Sequence, residues 1–88
     1  MIQGLAVIRN KKGLHARPST LVVVAAKRFE AEILLHYDGF KANAARLLDL
    51  LSLGADCGSE IQITSDGPDE EDALVAIKTV IEQEFDFS

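Results

Sequence analysis

The sequence predicts an α+β chain in which one antiparallel sheet of four strands is covered on one face by three helices, in the order β-α-β-β-α-β-α. Three observations carry that expectation. Asp38-Gly39 between two apolar runs is a strong hairpin signal. Glu60 to Thr64 alternates apolar and polar residues, as a strand with one wet face does. Ala73, Leu74, Ile77, Val80 and Ile81 form a stripe at helical spacing near the end of the chain. With 88 residues, 48% of them apolar, the chain is expected to form one domain over 1–88.

In chain order, Ile2 to Arg9 reads as a strand closed by the turn residues Asn10-Lys11-Lys12-Gly13. Ala16 to Phe29 is ambiguous on periodicity, because the run Leu21 to Val24 would suit a buried strand. Pro18 decides for a helix, since proline fits a first turn whose N–H groups lack partners, and Lys27 and Arg28 suit the negative end of the helix dipole. Glu32–Tyr37 and Phe40–Ala42 form the hairpin arms around Asp38-Gly39. Asn43 is placed to cap a short helix ended at Gly54, and its five leucines, 47, 48, 50, 51 and 53, cover more than one face and cannot all be buried. Leu50 at least is expected to face the sheet, while Leu47, Leu48 and Leu51 suit either core or docking surface. Glu60–Thr64 is the fourth strand, Ser65-Asp66-Gly67-Pro68 a turn, and Glu70 to about Glu84 the last helix, with Asp69 as its expected cap and Glu70, Glu71 and Asp72 at its positive end.

Composition narrows the function. The net charge is −5, with Arg9, Lys11, Lys12, Arg17, Lys27, Arg28 and Arg46 in the first 46 positions and acidic residues dominating from Asp66 onward. A chain of that balance, with one Tyr and no Trp, does not suit nucleic-acid binding or an anionic membrane surface. No apolar stretch reaches membrane-spanning length and no charged leader runs into an apolar core, so the cytoplasm is expected. Cys57 is the single cysteine and reads as a bystander thiol, and His36, among Ile33 to Tyr37, as structural.

The informative segment is Gly13-Leu14-His15-Ala16-Arg17-Pro18-Ser19. It sets an imidazole at a helix start beside the backbone N–H groups of Ala16 and Arg17 and the Arg17 guanidinium, an anion site that contains a nucleophile. A neutral imidazole nitrogen attacks phosphorus near pH 7, its unperturbed pKa being about 6.5, and a positive helix end with Arg17 disfavours protonation. No G-x-x-x-x-G-K-[ST] loop and no carboxylate pair spaced for magnesium is present, so the phosphoryl donor must come from another protein and the chain reads as a carrier rather than an enzyme, with no cofactor or metal.

These seven residues, with Ser52-Leu53-Gly54 downstream and Gly67-Pro68-Asp69-Glu70-Glu71-Asp72-Ala73-Leu74 near the end, closely resemble the HPr family, histidine-containing phosphocarriers of the bacterial phosphoenolpyruvate-dependent phosphotransferase system. The resemblance spans the whole chain and implies an open-faced β-sandwich. It implies that His15 accepts phosphate on Nδ1 from phosphorylated enzyme I and passes it to IIA domains of sugar permeases, with Arg17 and the amides of Ala16 and Arg17 steadying the phosphoryl group. It further implies a docking surface on the first two helices, matching Ser19, Thr20, Val23, Lys27, Leu47, Leu48 and Leu51, with Arg46 beside them, on a chain expected to be monomeric. The competing reading is a nitrogen-branch or regulatory member whose phosphorylation state signals to partner proteins.

Two positions depart from the family pattern. Arg46 stands where many Gram-positive members carry a regulatory serine, six positions before the serine of Ser-Leu-Gly, which puts serine-kinase control in doubt and adds a cation at the docking face. Lys12 stands where several members carry a small polar residue that helps orient the histidine.

Overall fold

Alternation and turn chemistry build the sheet. A computed structural model of the chain describes residues 1–11, 13–14 and 16–83. Its strands are β1 (Ile2–Val7), β2 (Glu32–Tyr37), β3 (Phe40–Asn43) and β4 (Glu60–Asp66), and its helices α1 (Ala16–Ala26), α2 (Leu47–Ser52) and α3 (Glu70–Glu82). All neighbouring strands are antiparallel, in the order β1-β4-β2-β3, so β1 and β3 are the edges. The expected order of elements and the open-faced architecture are both present. The β2–β3 hairpin turns on Asp38 and Gly39, at φ 51° and 81°, the left-handed pair that a two-residue hairpin with the twist of its strands demands.

Register decides the faces. Ala6, Ile33, Leu35, Ala42, Ile61 and Ile63 point to one side and are buried. Against them lie Val22 and Ala26 of α1, Leu50 of α2, and Ala73, Ile77 and Ile81 of α3, forming one hydrophobic core. The helical layer runs α3, α1, α2, with α3 over β1 and β4 and α2 against β3. The other face is bare: Leu5, Gln62, His36 and Lys41 form one cross-strand row on it. His36 is half-buried there, with Nε2 3.2 Å from the Thr64 hydroxyl.

The sequence-based boundaries shift in physically explicable ways. β1 ends at Val7, because the Ile8 N–H turns to the Ser59 carbonyl at 2.9 Å. α1 ends at Ala26, three residues before Phe29, since the N–H groups of Arg28 and Phe29 donate to the carbonyls of Ala25 and Ala26 in tight three-residue closures. Lys27 and Arg28 therefore follow the helix rather than filling its last turn. β4 runs on to Asp66, two residues beyond Thr64. The last helix is described to Glu82; Glu84 lies outside the described residues.

Of the two expected helix caps, one is displaced and the other keeps its position without a capping bond. Asn43 is the last residue of β3, and Arg46, in extended conformation, precedes α2. The Asn43 side chain instead accepts the Ala45 N–H at 2.8 Å, while its own N–H donates to Asp49 at 3.1 Å. Asp69 occupies the cap position of α3 but makes no side-chain capping bond. Its carboxylate reaches across to accept the N–H groups of Glu30 and Ala31, both at 2.9 Å, stapling α3 to the segment that enters β2. Short acidic side chains suit either task, and here the tertiary partner won.

Candidate functional site

The segment singled out in the sequence lies between β1 and α1. His15 and Lys12 lie outside the described residues, but both chain neighbours of His15 are described. On one side, Leu14 is buried and its N–H donates to the Ala55 carbonyl at 3.0 Å. On the other, Ala16 opens α1, and its carbonyl accepts the Thr20 hydroxyl at 2.7 Å. Arg17 is the exposed second residue of the helix and Pro18 the buried third, where the missing N–H costs no helical bond. Ala16 and Arg17, the residues assigned to hold a phosphoryl group, are thus together at the positive end of an 11-residue helix.

Backbone contacts hold the preceding turn. Gly13 has φ +75°, and a Cβ built there would stand 2.5 Å from the Ala55 carbonyl oxygen, so a side chain is excluded both by conformation and by space. The Gly13 N–H donates to the Asn10 carbonyl at 2.9 Å, and buried Asn10 donates from Nδ2 to the Gly13 carbonyl at 3.0 Å.

Beside this segment α1 and α2 pack against each other and leave an apolar surface. Leu48 is 78% exposed, and Leu47 and Leu51 are also exposed, while Leu50 is fully buried as expected. Thr20, Lys27 and Arg46 are exposed and Val23 is half-buried. Ser19 is a correction: it is 0% exposed, because at this point of α1 Pro18, Ser19, Val22 and Ala26 form the stripe turned to the interior. In its place the structure exposes Leu21 and Val24, which share the three-to-four spacing of Arg17 and Thr20. That spacing was legible, but within the run Leu21 to Val24 it was masked by strand-like composition.

Among the described residues no group of three or more His, Cys, Asp or Glu side chains could hold a metal ion. Cys57 is exposed, with Sγ 3.7 Å from the Arg9 carbonyl. Among the described residues no helix is long and apolar enough to cross a membrane.

Comparison with known proteins agrees with this arrangement. The family described as "PTS HPr component phosphorylation site" matches residues 2–83. The phosphocarrier protein HPr of Treponema pallidum (strain Nichols) is 39% identical over 79 residues, 90% of this chain and 90% of that protein. The crystal structure of the phosphocarrier protein HPr of Bacillus anthracis str. Ames superposes with a TM-score of 0.87 at 38% identity, covering 92% of this chain and 96% of that one. The crystal structure of Bacillus subtilis Crh, described as a catabolite repression protein and a swapped dimer, has a TM-score of 0.77 at 36% identity over 99% of this chain and 100% of that one. The chain belongs to the HPr family of phosphocarriers of the phosphotransferase system.

Proposed function

We propose that this chain is a monomeric, cytoplasmic, single-domain carrier that accepts a phosphoryl group on Nδ1 of His15 from phosphorylated enzyme I and donates it to IIA domains of sugar permeases. The observation that carries the reading is the placement of His15 in the chain. Of its two chain neighbours, Leu14 is anchored in the core and Ala16 opens α1, with Arg17 as the second residue of that helix. In the transfer, the lone pair of neutral Nδ1, with the proton on Nε2, forms the P–N bond as the bond to the donor breaks and its electron pair leaves with the donor. The helix N–H groups and Arg17 stabilise charge on the phosphoryl oxygens. The leucines of α2 with Leu21 and Val24 of α1 form the surface on which partners dock transiently.

The test mixes the chain with phosphoenolpyruvate, magnesium and enzyme I and follows intact mass and acid lability. One acid-labile phosphoryl group is expected, absent in His15→Ala and slower to arrive in Arg17→Ala. An unmodified chain with enzyme I of both the sugar and the nitrogen branch would overturn the reading.

A second reading is favoured by the likeness to Crh: a regulatory member, in the nitrogen branch or outside it, whose phosphorylation state signals to partner proteins. Offering the phosphorylated chain to IIA domains separates the two, since a signalling member would keep its phosphate. The swapped Crh dimer also makes light scattering of the purified chain the check on the monomer. Arg46 leaves no serine at the usual regulatory position, so the chain is expected to resist a serine kinase there.

A further inference from the structure

Ile8 and Leu14 are each bound to loop 55–59. The Gly58 N–H donates to the Ile8 carbonyl at 2.7 Å, the Ile8 N–H to Ser59 at 2.9 Å, and the Leu14 N–H to Ala55 at 3.0 Å. Between these anchors the Gly13 N–H donates to the Asn10 carbonyl at 2.9 Å. The Asn10 side chain reaches the same glycine. Asn10, 4% exposed, donates from Nδ2 to the Gly13 carbonyl at 3.0 Å.

The consequence lies in one peptide plane. The bond from Gly13 to Leu14 carries one carbonyl and one N–H, and both are engaged, the first by Asn10 and the second by Ala55. A planar peptide held at both polar ends cannot rotate about its axis without breaking a bond. The Leu14 side chain is in the core, so the residue that follows the plane is fixed as well. Only the φ and ψ of Leu14 separate this plane from His15. Without the Asn10 donor, the buried Gly13 carbonyl loses its partner and the plane keeps a single anchor.

We infer that Asn10 is a positioning residue for the phosphoryl-accepting histidine, acting through the Gly13–Leu14 peptide. The inference rests on the reading of His15 as acceptor. Asn10, itself buried, acts through the backbone and sets the direction from which the chain enters position 15. Phosphoryl transfer depends on alignment of attacking and leaving atoms, and a misplacement near 1 Å costs roughly a hundredfold in rate. A tilt of a fraction of that, about tenfold, is the expected effect.

The experiment measures phosphoryl transfer from phosphorylated enzyme I to the unaltered chain, Asn10→Ala, Asn10→Asp and His15→Ala. Asn10→Asp keeps the shape of the side chain and removes the donor. Asn10→Ala removes the donor without adding charge. In both, kcat is expected to fall about tenfold at unchanged KM, because the exposed docking residues of α1 and α2 are untouched, and hydrogen exchange at the Leu14 amide is expected to quicken. Wild-type kcat in either folded variant overturns the inference, and so does a raised KM with kcat unchanged. Should Asn10→Ala fail to fold, the isosteric Asp variant decides. If the unaltered chain itself takes no phosphate on His15, the carrier reading fails. If it does and the Asn10 variants match it, the positioning role alone fails.

Discussion

The two ends of the helical layer are fastened by different chemistry. On the α1–α2 side, the segment leading to His15 is held by backbone bonds to Ala55 and Ser59 and by a glycine seated against a carbonyl, and the helices beside it leave leucines bare. On the α3 side, charged side chains do the fastening. Asp69 holds the backbone of Glu30 and Ala31, Glu82 accepts the Val7 N–H at 3.1 Å, and Lys78 donates to the Leu5 carbonyl at 2.8 Å. The last two reach backbone groups of edge strand β1, whose neighbour on its other side is β4, and so blunt an edge that could pair with another chain. α3 exposes a large apolar residue too, Val75, but its face also carries Glu71, Asp72, Lys78 and Thr79. The α1–α2 surface shows bare leucine and valine side chains, whereas the α3 side sets charged side chains on neighbouring backbone groups.

The sharpest way to break that contrast is inside α2, where the two functions meet in adjacent leucines. Leu50 is fully buried, so Leu50→Ala is expected to cost about 2–5 kcal/mol in denaturant unfolding. Leu48, at 78% exposure, adds little to the core, and Leu48→Asp is expected to change stability by no more than about 0.5 kcal/mol. The same Leu48 change is expected to raise KM for phosphorylated enzyme I by roughly tenfold, the loss of one interface anchor. Equal stability losses at the two positions would show that the bare leucines are core rather than docking surface.

The next effect in size falls on the backbone-held segment. Gly13→Ala puts a side chain at φ +75° and 2.5 Å from the Ala55 carbonyl. The left-handed conformation alone costs about 1–2 kcal/mol, so the midpoint of urea unfolding is expected to drop by the corresponding amount. Because the clash is with a backbone carbonyl, which does not titrate, its cost is expected to be the same at pH 5 and pH 8.

Much of this was legible in advance, for reasons that differ by element. α3 was clear because its stripe from Ala73 to Ile81 repeats at one period and nothing competes with it. The hairpin was clear because Asp38-Gly39 leaves few other conformations. The start of α1 was clear because a turn, an arginine and a proline stand in an order with few structural uses. What escaped depends on tertiary partners. Asp69 and Asn43 read as caps by local chemistry, and only the folded chain brings Glu30 to the first and Asp49 to the second. Ser19 was placed on the surface from resemblance, although its spacing with Val22 and Ala26 already turned it inward. The role of Asn10 needed the seat at Ala55, which lies 45 positions away in sequence and has no local mark.

The smallest effect separates the two kinds of fastening by pH. The backbone N–H groups of Glu30 and Ala31 hold the Asp69 carboxyl below its ordinary value of 3.8, and the Val7 N–H, with Lys78 next to it, holds Glu82 below 4.5. A carboxylate with a lowered folded pKa contributes stability that is fully present above its unfolded value and is lost as pH falls through the folded one. The α3 fastenings should therefore be intact from neutral pH down to about pH 5 and fail progressively below pH 4. Asp69→Asn keeps the shape but accepts with one neutral oxygen in place of two charged ones, so its melting temperature is expected to lie slightly below the parent at pH 7 and to converge with it near pH 3. Glu82→Gln should behave alike, with the crossover displaced toward its higher ordinary value. If Asp69→Asn instead ran parallel to the parent from pH 7 to pH 3, the carboxylate charge would contribute nothing, and the staple would be one of shape, like the seat of Gly13 at the other end.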